Sequence, residues 1–442
     1  MRIGLYTLGC KVNQFETDAV SELLIDRGAE IVPFNEEADA YVINTCAVTS
    51  KAAFQSRQAV RRALKHQNAR VIATGCFVQA DPQAILDISD DICMVGNAFK
   101  ERIAEYVWST TEYAPGCLGM YLCDMSRVQR ISSLRVSRTL ERTRLFLRVQ
   151  DGCNAFCAYC IVPFTRGPSR SLEPELVIEQ VRSAHALGIR EVVITGIHVG
   201  LYGQDLEGRH TIFSLCRMLC DTFPEMRFRL SSLEPTELSD DFLLWAASAS
   251  NFCPHWHIPL QSGSTSVLKA MNRHYTAEYY AELIQRIHVV MPNAAIGADV
   301  MVGFPTETAA DFESACRMIS KLPISYLHVF PFSKRPGTLA ETMKDQVRPE
   351  EKAARARVLR ELGMQKRMEF WQKQIGNSAI CLVERRNEET GYWEGHTENY
   401  LPVVLPGSDA TDIRNQFVEI VLKEIRNDMI WAVTDITASC NE

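Results

Sequence analysis

The chain has 442 residues, of which 46% are hydrophobic and 23% are charged, so its composition is that of a folded protein rather than a disordered one. This length exceeds what one hydrophobic core can organise, and two to four domains are expected. The net charge of −7 gives no global basic surface, so any contact with nucleic acid must come from local patches. The sequence has no signal-peptide pattern and no stretch of eighteen apolar residues, which predicts a cytoplasmic protein without a membrane span.

Short β-rich runs alternate with helical periodicity in the first part of the chain, which predicts βαβ units and an open parallel α/β sheet domain over residues 1–112. The predicted strands are 2–8, 40–45 and 70–75, and the predicted helices are 15–27 and 50–66. Each predicted strand runs into a cysteine, and these are Cys10, Cys46 and Cys76.

Residues 113–140 lose this alternation and are predicted to form an arginine-rich linker between domains. The arginines in and beside it are Arg127, Arg130, Arg135, Arg138, Arg142 and Arg144. They form one of three basic patches that are candidates for contact with RNA phosphates. The other two are the helix with Arg57, Arg61, Arg62 and Lys65, and the segment with Lys352, Arg355, Arg357, Arg360, Lys366 and Arg367. For each patch a merely solvated surface is the competing interpretation.

The alternation of strands and helices resumes over residues 141–372. The candidate strands are 145–150, 191–196, 227–232, 255–260, 296–302 and 326–332. Six βα repeats of this size indicate an incomplete (β/α)6 barrel, whose active site should lie at the C-terminal ends of the strands. A charged helical segment over 348–374 follows the last strand.

Residues 373–442 change to short strands and turn residues, which predicts a small β-barrel of the OB-like size class. Its aromatic residues Tyr392, Trp393 and Tyr400 could stack on bases, but in so small a barrel they could equally form the core. The segment is richer in acidic than in basic residues, which is unlike an autonomous phosphate-binding module.

Three cysteines at the spacing C-x₃-C-x₂-C, Cys153, Cys157 and Cys160, directly follow the first predicted barrel strand. This spacing lets three thiolates of one tight loop bind three corners of a [4Fe–4S] cluster and leaves the fourth iron open. An open iron can chelate S-adenosylmethionine (SAM) and pass one electron to its sulfonium, which releases a carbon radical. A structural zinc site would prefer a fourth protein ligand, and none follows within the loop.

The three N-terminal cysteines occupy equivalent places, each at the C-terminal end of a predicted parallel strand. Because these strand ends line one edge of an open α/β sheet, the thiolates of Cys10, Cys46 and Cys76 are expected to converge and to hold a second cluster. Taken alone, such cysteines are more often buried core thiols than ligands.

Several strand ends in the barrel are expected to face the cofactor. Gly196 follows the second strand, Ser231 and Glu234 close the third, and Gln261 closes the fourth. A glycine at position 196 would let backbone groups approach the methionyl part of SAM. A turn or packing role is the competing interpretation for each of these residues, and no catalytic residue is assigned.

The segment DGCNAFCAYCIVPFTRGPSRS resembles the methylthiotransferase branch of the radical SAM superfamily, and TLGCKVNQFET, NTCAVTSKAA and TGCFVQ resemble the N-terminal domain of that family. The resemblance covers nearly the whole chain. It implies two [4Fe–4S] clusters and SAM as cofactors, with the first cluster carrying the sulfur. It also implies that Tyr159 packs near the adenine of SAM, although a core aromatic is the alternative. The tail with GYWEGHTENYLPV resembles the TRAM domain, an RNA-binding barrel.

Within this family, GCKVNQFET, HVFPFSKRPGT and GYWEGHTENY are most similar to the branch that methylthiolates N6-threonylcarbamoyladenosine at C2, beside the anticodon of tRNA. The resemblance implies that one SAM methylates a sulfur on the first cluster, and that a second SAM is cleaved to a 5′-deoxyadenosyl radical that activates the base. The implied partners are the tRNA anticodon stem-loop and a reductant protein such as flavodoxin or ferredoxin. Isopentenyladenosine in tRNA and an aspartate of a ribosomal protein are alternative acceptors. A non-catalytic, zinc-containing RNA-binding protein is the alternative from another class.

Overall fold

The computed structural model describes residues 1–66, 68–109, 119–137, 143–406 and 412–434. Its N-terminal part is an open six-stranded sheet in which every paired strand is parallel and the order is β2-β1-β3-β4-β5-β6. The elements are β1 Arg2–Thr7, α1 Lys11–Ile25, β2 Glu30–Val32, β3 Ala40–Thr45, α2 Ser50–Ala63, β4 Arg70–Gly75, α3 Cys76–Ala80, α4 Gln83–Leu86, β5 Ile92–Val95, α5 Ile103–Trp108 and β6 Met120–Tyr121.

The predicted α/β sheet domain is confirmed, with differences at short elements. The helix α1 begins at Lys11 instead of residue 15, because Val12 and Phe15 are buried and extend its apolar face to the N-terminus. The strands β2, β5 and β6 have only two to four residues each, which is too short for a clear period-2 pattern.

Of residues 113–140, which the sequence predicts to be a linker, the structure describes 119–137. Strand β6 lies in this range and pairs with β5 as an edge of the N-terminal sheet. Leu134 and Val136 are buried in the core cluster that the N-terminal domain and the barrel share. The segment therefore packs against both domains instead of spanning between them, and residues 113–118 and 138–140 lie outside the described residues.

The central domain is the predicted incomplete barrel of six parallel strands. Its strands are β7 Arg144–Arg148, β10 Glu191–Thr195, β11 Arg227–Leu230, β12 His255–His257, β13 Ala295–Val302 and β14 Tyr326–Pro331. Two three-stranded ladders, β7-β10-β11 and β12-β13-β14, are joined by the parallel bridges Phe228 to Phe252 and Ser232 to His257. No ladder joins β7 to β14 in the described parts of the chain, so the barrel is open there.

The helices of the central domain cover the outside of the barrel, and a short antiparallel pair, β8 and β9, precedes and follows the cysteine loop. These elements are β8 Gln150–Asp151, α6 Val162–Arg166, β9 Arg170–Ser171, α7 Pro174–Ala186, α8 Ile212–Thr222, α9 Asp240–Ser248, α10 Thr265–Ala270, α11 Ala277–Val290, α12 Ala309–Lys321, α13 Leu339–Thr342 and α14 Pro349–Gln374. Every helix in the described part of the chain is too short or too polar to cross a lipid bilayer.

The C-terminal domain is a closed five-stranded barrel in the order β15-β16-β17-β19-β18, as the OB-like prediction requires. Its strands are β15 Ser378–Arg386, β16 Trp393–Thr397, β17 Pro402–Leu405, β18 Phe417–Arg426 and β19 Met429–Thr434. Trp393 is buried in its core, and Tyr392 contacts the ring of Trp431.

Tyr400 lies outside the core of its own barrel and closes the N-terminal end of the central barrel. Arg144 and Arg229 lie over its ring at 5.2 and 4.8 Å, and the rings of His255 and His396 are each 5.0 Å away. Cation–π pairs of this kind contribute about 0.5–2 kcal/mol each. The contact fixes the small barrel beneath the large one.

Candidate active site

The sheet topology places the three N-terminal cysteines side by side. Cys10 lies three residues after β1, whereas Cys46 and Cys76 directly follow β3 and β4, and these three strands are neighbours in the sheet. Gly9 has φ 106°, a left-handed conformation that turns the chain before Cys10, and a Cβ at this position would lie 3.0 Å from Cys46 Sγ. We call Cys10, Cys46 and Cys76 the N-terminal triad.

The thiols of the N-terminal triad influence one another. Burial raises the pKa of Cys46 to about 12, and the neighbouring Cys76 and Cys10 raise it as well. Asn97 Nδ2 lies 3.8 Å from Cys76 Sγ. The Cys46 thiol is therefore protonated at neutral pH, and a metal group that binds it must displace the proton.

The second cysteine group lies in the loop between β8 and α6, at the C-terminal end of the first barrel strand. Gly152 has φ 77°, and a Cβ there would lie 1.9 Å from the carbonyl oxygen of Pro168, so only glycine fits before Cys153. The backbone N–H of Ala158 donates to Met271 O at 2.9 Å and fixes the loop to the barrel. We call Cys153, Cys157 and Cys160 the barrel triad.

Polar groups surround the barrel triad. Cys153 Sγ lies 3.3 Å from His198 Nδ1, and the Nε2 atom of this histidine lies 2.7 Å from Glu237 Oε1. An Arg273 Nη1–H group donates to Cys157 Sγ at 3.4 Å. These donors and the cation stabilise thiolate charge, which suits metal ligands.

The distance between the ligand atoms of a site indicates whether they can bind one metal ion. Two sulfur ligands of one tetrahedral zinc ion, at about 2.3 Å from the metal, lie about 3.8 Å apart. Among the residues that the structure describes, the only three ligand atoms found within 4.8 Å of one another belong to His257, Asp299 and His328. In the described part of the chain, neither triad is thus drawn together around a single ion, whereas the thiolates of a cluster bind separate irons and need no such close approach.

A buried ion-pair network joins the two triads. Glu16 of α1, 1% exposed, accepts from Arg166 Nη1 at 2.8 Å and from Arg166 Nη2 at 3.0 Å, and it also pairs with Lys100. Asp151 accepts from Arg166 at 2.9 Å and lies near Arg148 and Arg170. We call these six residues, Glu16, Lys100, Arg148, Asp151, Arg166 and Arg170, the ion-pair network.

Two asparagines complete the connection between the domains. Asn13, three residues after Cys10, accepts from Arg166 Nη2 at 2.6 Å. Asn97, beside Cys76, donates to Thr165 O at 2.8 Å. Because Thr165 and Arg166 belong to α6, directly after the barrel triad, the two triads are held in a fixed relation.

Of the predicted SAM-contacting residues, Tyr159 and Glu234 lie beside the barrel triad. Tyr159 packs edge-on against Phe304 at 6.4 Å. Glu234 pairs with Arg273, the arginine that contacts Cys157. Ser231 is buried, and its backbone N–H donates to Ile194 O.

The local structure explains part of the residue choice at the two remaining positions, Gly196 and Gln261. A Cβ at Gly196 would lie 2.8 Å from Gln150 Oε1, so packing against Gln150 already requires a glycine there. Gln261 has φ 62° and pairs with Val300 of β13 through an isolated bridge. A non-glycine residue in this conformation is uncommon and occurs often at functional sites.

The interior of the barrel contains a polar chain that the sequence did not suggest. Ser232 Oγ lies 2.6 Å from His257 Nδ1, and Asp299 Oδ1 lies 3.2 Å from both His257 Nε2 and His328 Nδ1. Although burial raises the pKa of Asp299, the two histidines outweigh this and hold the pKa below its usual value. Burial lowers the pKa of Lys11 of α1, and Asp299 and Tyr400 of this region counteract part of that shift.

Some cations of the predicted basic patches, and Arg148 beside them, form ion pairs inside the protein. Arg144 pairs with Glu384 at 2.7 Å, Arg148 belongs to the ion-pair network, and Arg355 pairs with Glu307. Arg138 and Arg142 lie outside the described residues. Arg57 of α2, with Arg335, lines a cavity of about 440 Å³ between the N-terminal domain and the barrel. This cavity also contacts Ala47 and Ile161, which directly follow Cys46 and Cys160.

Sequence reasoning missed the ion-pair network and the polar chain. One signal was available, since Glu16 interrupts the apolar face of α1 between Phe15 and Ala19. A charged residue on a buried helix face needs a partner. The partner Arg166 is 150 residues away in the chain, so no local pattern identifies it.

Two family models match the chain. Uncharacterized protein family UPF0004 matches residues 2–96, and the Radical SAM superfamily matches residues 147–319.

Curated relatives match over nearly the whole length. The chain is 36% identical to the threonylcarbamoyladenosine tRNA methylthiotransferase MtaB of Aquifex aeolicus over 92% of this chain and 97% of the relative. It is 37% identical to the protein of that name from Bacillus subtilis, over 92% and 91%. The tRNA-2-methylthio-N(6)-dimethylallyladenosine synthase of Maricaulis maris is 30% identical over 90% and 89%.

A solved structure shares the fold. The radical S-adenosylmethionine methyltransferase TsrM from Kitasatospora setae, with cobalamin and a [4Fe–4S] cluster bound, has a TM-score of 0.58 and covers 77% of each chain. Its sequence identity is 14%, so the likeness concerns the fold alone.

Proposed function

The chain belongs to the radical SAM methylthiotransferase family, and we propose that it converts N6-threonylcarbamoyladenosine at position 37 of tRNA to its 2-methylthio derivative. It is thus a transferase of a sulfur-containing group. Because its substrate is tRNA, we place the reaction in the cytoplasm.

The observation that carries this proposal is the fixed juxtaposition of two cysteine triads from different domains. Each triad offers three thiolates, and the buried pair of Glu16 with Arg166 holds one triad against the other. A protein that only bound RNA would have no use for two such groups. An enzyme that combines a sulfur source with a radical source needs both beside one substrate atom.

We assign the N-terminal triad and the barrel triad as the ligands of two [4Fe–4S] clusters, and SAM as the second cofactor. The barrel-triad cluster, when bound, supplies one electron to the sulfonium of SAM, and the N-terminal cluster supplies sulfur. Arg273 donates to the sulfur of Cys157 and stabilises its thiolate form, and His198 Nδ1 lies 3.3 Å from the sulfur of Cys153. Tyr159, Gly196, Ser231, Glu234 and Gln261 are proposed to surround SAM.

The target base must leave its stack to reach so enclosed a site. The cavity lined by Arg57 and Arg335 lies at the domain boundary and offers two cations for RNA phosphates. The C-terminal barrel, fixed by Tyr400, is proposed to contact the anticodon stem-loop from the other end of the central barrel.

The electron for SAM cleavage is proposed to come from a small redox protein such as flavodoxin or ferredoxin. The barrel triad is only partly buried, and Phe156 and Phe164 beside it are exposed, with ring centroids 6.0 Å apart. Phe156 has φ 44°, so the fold holds an exposed aromatic ring in a strained backbone conformation next to Cys157.

The test is mass spectrometry of tRNA nucleosides from cells with and without the gene. We expect 2-methylthio-threonylcarbamoyladenosine to disappear and its unthiolated precursor to accumulate, while 2-methylthio-isopentenyladenosine stays unchanged. Restoring the gene should restore the product, and a Cys157→Ala copy should not. Loss of the isopentenyladenosine product instead, or no change in either nucleoside, would refute the assignment.

A further inference from the structure

Lys11 differs from the other cations that reach the interior of the central barrel. It directly follows Cys10 of the N-terminal triad, opens helix α1 and is partly buried. Arg144 and Arg229 at the same interior are paired with Glu384 at 2.7 Å and Glu191 at 2.9 Å. In the described parts of the chain, the Lys11 ammonium has neither an ion-pair partner nor a hydrogen-bond acceptor.

Lys11 lies one helical turn before Phe15, whose ring is 5.0 Å from the guanidinium of Arg148 on β7, so its side chain leaves α1 on the face that packs against the barrel. Burial lowers the pKa of Lys11, and the groups near enough to shift it further are Tyr400, Arg229, Arg144 and Asp299, which lie in the barrel interior or close it. Asp299 is the one carboxylate among them, and its oxygen is already shared by two imidazoles at 3.2 Å. The interior therefore has a positive charge to offer to an incoming anion.

An unpaired ammonium beside two arginines is costly to hold in a partly buried place. The cost is offset when an anion binds there. The substrate atom that accepts the methylthio group must lie near the N-terminal triad, and Lys11 is the residue next to Cys10 in that triad. A substituent on the same base therefore comes within reach of its side chain.

We propose that the ammonium of Lys11 binds the carboxylate of the threonylcarbamoyl group and thereby selects this nucleoside over adenosines with an apolar N6 substituent. The inference rests on the proposed function. Threonine joined to the carbamoyl group through its nitrogen keeps a free carboxylate, whereas an isopentenyl or dimethylallyl group has no charge. A charge-assisted hydrogen bond then distinguishes the two kinds of substrate.

The test compares three anticodon stem-loop RNAs bound to the holoenzyme without reductant. They carry threonylcarbamoyladenosine, its methyl ester, or unmodified adenosine at position 37, and fluorescence anisotropy gives their affinities. We expect the wild type to bind the free acid about ten- to a hundredfold more tightly than the ester, as a charge-assisted hydrogen bond allows. Lys11→Met should remove this preference without changing the affinity for the ester or for unmodified RNA.

Two further variants make the result specific. Lys11→Arg keeps the charge and should keep a preference for the free acid. Lys321→Met removes an exposed lysine at the end of α12, on the outside of the barrel, and should leave all three affinities unchanged.

Three outcomes would overturn the inference. If Lys11→Met lowers the affinity for all three RNAs equally, Lys11 binds a phosphate. If the variant loses iron or changes the visible spectrum, the lysine serves the cluster, and if the preference for the acid persists, it has no role in recognition. The proposed function is tested separately, by whether the reduced wild-type enzyme methylthiolates the free-acid RNA at all.

Discussion

Replacing Glu16 with glutamine removes the charge at the centre of the ion-pair network. Glu16 is 1% exposed and balances Lys100 and Arg166. Although burial raises its pKa, Arg166 and Lys100 outweigh this and hold the pKa of Glu16 well below its usual value, so it is ionised at neutral pH. Removing one partner of a buried ion pair lowers the stability of the fold by about 3–5 kcal/mol. Since Asp151 still pairs with Arg166, we expect the lower end, about 3 kcal/mol.

The assay is hydrogen exchange followed by mass spectrometry on the peptide that contains α1, Lys11–Ile25. A loss of about 3 kcal/mol in local stability corresponds to exchange that is more than about a hundredfold faster. Glu36→Gln is the control, because its pair with Arg2 is about half exposed at both ends and such pairs contribute at most about 1 kcal/mol.

A double variant tests the cause. Adding Lys100→Met to Glu16→Gln removes the ammonium that the single change leaves without a carboxylate, and part of the protection should return. Equal exchange rates in Glu16→Gln and Glu36→Gln would show that the network does not hold α1 in place.

Three other changes have distinct expected outcomes. Cys157→Ala should halve the iron content from about eight atoms per chain and abolish 5′-deoxyadenosine formation. Cys46→Ala should also halve the iron content but still allow SAM cleavage. Iron analysis and chromatography of the reaction products distinguish the two variants. Gly152→Ala should lose the barrel-triad cluster, because the new Cβ would lie 1.9 Å from a backbone oxygen. Gly28→Ala is the control, since Gly28 has open space around it. This variant should keep its full iron content and lose about 1 kcal/mol of stability through backbone strain. Glu191, whose two arginine partners hold its pKa below the usual value despite burial, stabilises the protein above about pH 4 and loses this effect as the pH falls toward its folded pKa. Urea midpoints measured against pH should therefore show a shallower acid slope for Glu191→Gln, and an unchanged slope would contradict the pairing.

The order of the strands and the position of both triads were accessible from the sequence, because both depend on local patterns. The predicted barrel strands match the observed ones to within a few residues. The clearest of them, β10 and β13, are apolar runs that the barrel buries on both faces over most of their length. The rule that parallel strand ends share one edge correctly brought Cys10, Cys46 and Cys76 together. The short strand β6 and the packing of residues 119–137 were missed, because two residues give no periodicity.

The contacts that join the domains were not accessible. Glu16 and Arg166 are far apart in the chain, and neither has a partner that a spacing rule identifies. Tyr400 was expected either to stack on bases or to fill a core, yet it closes the neighbouring barrel because the two barrels meet at this surface.

The sequence by itself determined the chemistry of this protein, because the cysteine spacing after residue 152 and the strand–cysteine pattern before it are properties of local segments. The tertiary structure alone decided how the two triads face each other, which charges are balanced, and that Lys11 has no ion-pair partner among the described residues. These features depend on the docking of surfaces from distant parts of the chain. Burial there removes water, so that paired charges attract each other more strongly and an unpaired charge costs more free energy.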